Sequence, residues 1–175
     1  MPKKDLTLTS KIVISLHSAE DLILPWISPK EFSRRVWYGG DYDSFKAIMR
    51  RLQKRGLVKY INFKENRFIK LTKKGELEAL LHKARLPQSG PWDGKWRLII
   101  FDIPEEANVK RDQFRRILKA NYFFKLQASV FISPHPLNRE AITYLKQTGL
   151  IGYVRILRVD EIDEDVELKK HFNLP

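Results

Sequence analysis

"RRLQKRGLVKYINFKENRFIKLTKKG", residues Arg50 to Gly75, decides the fold of the first half of the chain. It begins inside an amphipathic helix, because Phe45, Ile48, Met49 and Leu52 fall at i, i+3, i+4 and i+7 and form one apolar stripe. Lys46, Arg50, Arg51, Lys54 and Arg55 occupy the opposite face. Gly56 is the expected C-cap. Beyond it the period changes from helical to alternating. Leu57 to Phe63 reads as a strand, Lys64 to Arg67 as a polar turn, and Phe68 to Thr72 as a returning strand. A helix over roughly Lys73 to Arg85 closes the run.

Further upstream, Ser28-Pro29-Lys30-Glu31 has the form of a helix start: a capping serine, a proline suited to the first helical position, and a glutamate that completes a capping box. A helix from Pro29 to Val36 follows, ended by Gly39-Gly40. Before it, Leu8 to Trp26 is mostly apolar, with Ile12, Leu16 and Ala19 on one helical face. Three helices, a hairpin and a further helix are the element order of a winged helix-turn-helix, assigned here to residues 1–86.

The charge distribution agrees with that assignment. The chain has 175 residues and a net charge of +12. Residues 1–88 hold 19 lysines and arginines against 9 acids, a net of +10, whereas residues 89–175 hold 14 against 12, a net of +2. A positive field focused on one half is the electrostatic footprint of a polyanion binder, and double-stranded DNA is the expected partner. In a helix-turn-helix the N-terminal part of the second motif helix enters the major groove. Tyr42, Ser44, Lys46, Ala47 and Arg50 are therefore the candidates for groove contact. Arg51, Lys54 and Arg55 are expected on phosphates, and Lys64, Asn66 and Arg67 are wing residues within reach of an adjacent backbone or the minor groove. No apolar run approaches the ~18 residues of a membrane span, and a cytoplasmic location is expected. The absence of cysteine excludes disulfides, thiolate zinc sites and a cysteine nucleophile.

Residues 87–95 read as a linker, within the proline- and glycine-containing stretch RLPQSGPWDGKW. Trp92 and Trp96 flank it and are read as pinning two domains together, with base stacking as the alternative. Residues 96–175 then alternate strand and helix: Trp96 to Ile103, a helix from Glu106 to Ala120, the strand or broken strand pair FKLQASVFISP, a helix from about Asn138 to Thr148, and a strand from Gly152 to Val159. This order suggests a ferredoxin-like βαββαβ unit. The segment Asp163 to Leu174 is expected to be a helix capped by Asp163, packed elsewhere or swapped to a partner. The whole is an α+β chain.

The stretch "WDGKWRLIIFDIPEE...KRDQFRRILKANYFFKLQASVFISP" resembles the central domain of PaaX-type transcriptional repressors, which in turn is similar to the CRISPR-associated Cas-two family. In both, a strand ending in an aspartate opens the domain, a basic helix follows, and a "LQ.SVF" strand comes next. The resemblance implies a homodimer, formed through the ferredoxin-like domains, that presents two winged helices to a palindromic site. PaaX-type repressors continue into a further C-terminal domain, which this chain is expected to lack. The family's acyl-CoA effector is therefore not carried over, and any small-molecule effector is left unassigned.

Asp102 has two readings. In Cas-two proteins the aspartate at this position is a ligand of a divalent metal at the dimer interface. Two copies of Asp102 across a twofold axis would hold Mg²⁺ through oxygen ligands and waters, making the chain a metal-dependent nuclease or CRISPR-adaptation component. The favoured reading has no cofactor and no catalytic step: Asp102 accepts backbone N–H groups in the following turn, or pairs with Arg97, Lys110, Arg111 or Arg115. The four histidines, His17, His82, His135 and His171, show no metal-ligand spacing. The leading expectation is a dimeric, sequence-specific DNA-binding transcriptional regulator that acts as a repressor.

Overall fold

A computed structural model describes residues 7–21, 28–36, 42–87 and 90–175. The chain divides into two compact units, Met1–His82 and Lys83–Pro175. This division places the segment read as a linker, 87–95, in the second unit.

The first unit contains α1 (Leu8–Asp21), α2 (Pro29–Val36), α3 (Tyr42–Lys54), β1 (Val58–Phe63), β2 (Asn66–Leu71) and α4 (Lys73–Lys83). The α2 start is as the sequence requires. The Glu31 N–H donates to Ser28 Oγ at 3.2 Å, and the Ser28 hydroxyl donates to the Glu31 carboxylate at 3.3 Å. Gly39 and Gly40, expected to end α2, lie outside the described residues, as does the stretch 22–27. Gly56 ends α3 with φ +70, and the Leu57 N–H returns to the Leu52 carbonyl at 3.0 Å.

β1 and β2 form an antiparallel hairpin in register from Val58↔Leu71 to Phe63↔Asn66. Thr72 carries the chain from it into α4. Its hydroxyl donates to the Gly56 carbonyl at 2.6 Å and accepts the Gly75 N–H at 3.1 Å. Gly75 permits the close approach that follows, since a Cβ there would lie 2.0 Å from the Leu57 carbonyl oxygen. Ile12, Val13 and Leu16 of α1, Phe32 of α2, and Phe45, Met49 and Leu52 of α3 pack with Val58, Ile69 and Leu71 into one core. At ~1.5–3 kcal/mol for each fully buried large apolar side chain, this core is what holds α3 and the hairpin in place.

The second unit contains β3 (Trp96–Phe101), α5 (Asn108–Ala120), β4 (Phe124–Gln127), β5 (Val130–Ser133), α6 (Arg139–Gln147), β6 (Val154–Val159) and α7 (Val166–Phe172). Its sheet has the order β4-β5-β3-β6 with every pair antiparallel, so the first strand of the unit is central and the last lies at an edge. That is the ferredoxin-like βαββαβ arrangement. One face is closed by helices. Phe101 packs edge-on against Phe114 of α5 with ring centroids 5.2 Å apart and lies 5.9 Å from Phe131, with Ile99, Ile117, Leu118 and Leu145 buried around them. On the other face, Phe172 of α7 lies 5.9 Å from Trp96, and His171 lies 4.5 Å from Phe124. Trp92 packs on Trp96 at 5.3 Å within this same unit.

Several boundaries differ from the sequence reading: β2 takes in Asn66 and Arg67, read as turn, β3 ends at Phe101 and not Ile103, α4 ends at Lys83 and not Arg85, and three more have a local cause. Helix α5 begins at Asn108 and not Glu106, because Pro104 is extended and residues Glu105–Ala107 form a 3-10 turn without a side-chain cap. Strand β6 begins at Val154, because Gly149 in the left-handed region leads into a 3-10 turn over Leu150–Tyr153. Asp163 does not cap the last helix. The left-handed Glu164 (φ 56) interrupts the chain, α7 starts at Val166, and the Asp165 carboxylate instead takes the Trp96 indole N–H at 3.4 Å and the Lys169 ammonium at 3.5 Å.

Two buried asparagines complete the second unit. Asn138 caps α6, its Oδ1 accepting the Ala141 N–H at 2.6 Å, while its Nδ2 donates to the carbonyls of Leu86 (2.6 Å), Ala84 (3.1 Å) and Lys83 (3.3 Å). Asn121, at the end of α5, donates to the same Ala84 carbonyl at 2.7 Å. Carbonyls of the segment that opens the second unit are thus satisfied by two asparagines at helix ends of the same unit.

Candidate nucleic-acid interface

The amphipathic pattern that buries Phe45, Met49 and Leu52 leaves Tyr42, Ser44, Lys46, Ala47, Arg50, Arg51 and Lys54 on the exposed side of α3. The hairpin supplies the facing group. Its core-side row is Val58, Tyr60 and Asn62 opposite Leu71, Ile69 and Arg67. There the Arg67 guanidinium stacks 3.9 Å above the Tyr60 ring. Burial raises the Tyr60 phenol above its usual pKa; Arg67 opposes that shift, Tyr42 adds to it, and Arg50 opposes it. Those influences place Tyr60 electrostatically between the N-terminal half of α3 and the wing. On α3 the Lys46 ammonium lies 4.6 Å from the Tyr42 ring centre and 3.1 Å from the Asp43 carboxylate, both contacts exposed.

Arg67, Tyr42 and Arg50 thus all act on Tyr60, and Lys46 joins the group through the Tyr42 ring. Sequence reading missed Tyr60, because only the β1–β2 register shows that it shares a face with Arg67. Arg55 is engaged differently from the other α3 cations: its guanidinium pairs with Glu78 of α4 at 3.1 Å. His82 lies 3.6 Å from the same Glu78 oxygen and 3.2 Å from the Ser10 hydroxyl, linking α4 to α1. The hydrogen bond with His82 is the largest influence lowering the Glu78 pKa, with Arg55 contributing in the same direction. Lys64 and Asn66 sit at the hairpin tip, Lys64 in the left-handed region with φ 52.

Asp102 is exposed at the end of β3. None of its expected cationic partners holds it. Arg97 bonds Asp93 at 2.6 Å and the Lys95 carbonyl at 2.7 Å, Arg115 bonds Asp112 and the Ala128 carbonyl, and Lys110 reaches the Thr148 carbonyl. The expected backbone cap of its carboxylate is likewise not formed; the residue's own N–H donates to the Tyr153 carbonyl at 3.0 Å. Strand and turn end here because this amide extends the β3–β6 ladder by one bond while the charge stays in water. Asp102 borders a shallow cavity of about 300 Å³ with Ile100, Phe101, Gly152, Tyr153 and Arg155. Among the described residues no group of three or more His, Cys, Asp or Glu side chains is placed to hold a metal ion.

Among the described residues no helix is long and apolar enough to cross a membrane. Residues 89–170 match the family model described as the PaaX protein central Cas2-like domain. No curated protein matches the chain.

Proposed function

We propose that the chain, whose residues 89–170 match the family model of the PaaX central Cas2-like domain, is a dimeric, sequence-specific DNA-binding transcriptional regulator of the PaaX type, acting as a repressor. The observation that carries this reading is the basic and aromatic cluster of Tyr42, Lys46, Arg50, Tyr60 and Arg67 in a unit with winged-helix element order. Planar cations and phenols beside an exposed helix face suit the major groove: arginine is bidentate to guanine, and lysine and tyrosine position the backbone. Arg51 and Lys54 extend the same face toward phosphates. Catalysis has no part in this reading.

The second unit supplies the dimer. Opposite its α5 and α6 layer, Ile100, Phe124 and Leu157 remain 38–41% exposed. An apolar sheet face ending in an open edge is a liability unless covered. A second copy of the same face covers it isologously and sets two winged helices about one twofold axis. Fluorescence anisotropy on duplexes selected from a random pool tests the reading. Arg50→Ala weakens binding by about 1–3 kcal/mol and relaxes preference at one position. Equal weakening on every sequence assigns Arg50 to a phosphate, and no enrichment of any duplex refutes the proposal.

A further inference from the structure

The hairpin's solvent face is built differently from its core-side row. Lys59 and Lys70 stand directly opposite one another, followed by Ile61 opposite Phe68 and Phe63 opposite Asn66. Like charges directly opposed across a ladder are destabilising, and neither lysine has a carboxylate partner among the described residues. At the far end Phe63 is 55% exposed, beside the two-residue turn in which Lys64 holds a left-handed conformation, its ammonium 5.8 Å from the Phe63 ring. An uncompensated lysine pair, an apolar strip and an exposed aromatic tip thus lie along one face of one hairpin. An anion between the lysines removes their repulsion, and an apolar groove wall removes the tip ring from water.

We propose that this outer hairpin face is a second DNA contact, with Lys59 and Lys70 gripping one phosphate strand and Phe63 wedged into the minor groove, where it unstacks a base step and bends the duplex. The inference rests on the DNA-binding reading above. Apolar side chains inserted from the minor groove kink duplexes in this way, and flanking cations neutralise the backbone around the kink. The surface is distinct from the Tyr42, Lys46 and Arg50 face, so it contributes bending and affinity while the α3 face contributes base choice.

The test uses the full chain and a duplex selected by the wild type, labelled at both ends for energy transfer. Phe63→Ala should lower affinity about tenfold and straighten the duplex, measured at a temperature where the melt shows the variant folded. Phe63→Leu should keep most of the bend. Lys59→Gln and Lys70→Gln should each reduce the slope of log affinity against log salt by about 0.9. If Phe63→Ala bends and binds the duplex as the wild type does, this inference is overturned while the DNA-binding reading stands. If the wild type itself binds no duplex, both fall together.

Discussion

Replacing Asn138 with alanine measures what holds the start of the second unit to its sheet domain. The side chain is 2% exposed and makes four hydrogen bonds. Losing the cap on Ala141 costs about 1 kcal/mol. The Ala84 carbonyl retains Asn121 as a donor and the Lys83 carbonyl retains the Leu86 N–H at 2.9 Å, but the part-buried Leu86 carbonyl, bonded at 2.6 Å, loses this one. That acceptor adds about 1 kcal/mol, for a total of about 2 kcal/mol. The unit spans 83–175, and an unfolding entropy of about 2.1 cal/mol/K per residue converts that loss into a Tm drop of about 10 °C. Calorimetry on the full chain reads it as a shift of one transition. Asn138→Asp keeps the cap acceptor but not the donors, so it should fall nearly as far. A change under about 0.5 kcal/mol for Asn138→Ala would show that these bonds do not support the unit.

Gly75→Ala forces a methyl group onto the Leu57 carbonyl and should cost the first unit about 2 kcal/mol or more in urea unfolding. Lys64→Gly relieves a left-handed lysine and should raise stability by about 1 kcal/mol; no change would mean the turn is unstrained. Glu78 has a folded pKa below its ordinary value, so its contribution is present above the unfolded pKa of about 4.5 and fades as pH falls through the folded value. The stability gap between wild type and Glu78→Gln should therefore be flat from pH 5.5 to 8 and close in acid; a gap that widens in acid contradicts the assignment. Asp102→Asn should leave DNA affinity nearly unchanged, since the carboxylate meets water and no described cation; a large loss with the dimer intact would place Asp102 in the interface.

Much of this architecture is legible in the chain because local signals coincide. The stripe of Phe45, Met49 and Leu52, the Gly56 stop and the switch to period two all act within a few residues, so α3 and the hairpin follow from neighbours alone. The Ser28–Glu31 start is local for the same reason. What escapes is whatever depends on contacts distant in sequence. Asn138 reads only as a helix start and Asn121 carries no signal of its own until the carbonyls of residues 83–86 fold onto them. Tyr60 joins the interface only once register sets it beside Arg67. Asp163 has the chemistry of a cap, but the backbone turns at Glu164 and the Trp96 indole and Lys169 recruit Asp165 instead. Asp102 misled in the same way: cations plentiful along the chain are each spent on nearer partners, Arg97 on Asp93 and Arg115 on Asp112.

Selection of duplexes from a random pool by the full chain, followed by sequencing of the bound fraction, tests the central claim most directly. The account predicts one enriched motif with twofold symmetry, its half-sites one helical turn or a multiple of it apart, as two winged helices about one axis require. Recovery of unenriched sequence, or binding that follows only duplex charge, would contradict it.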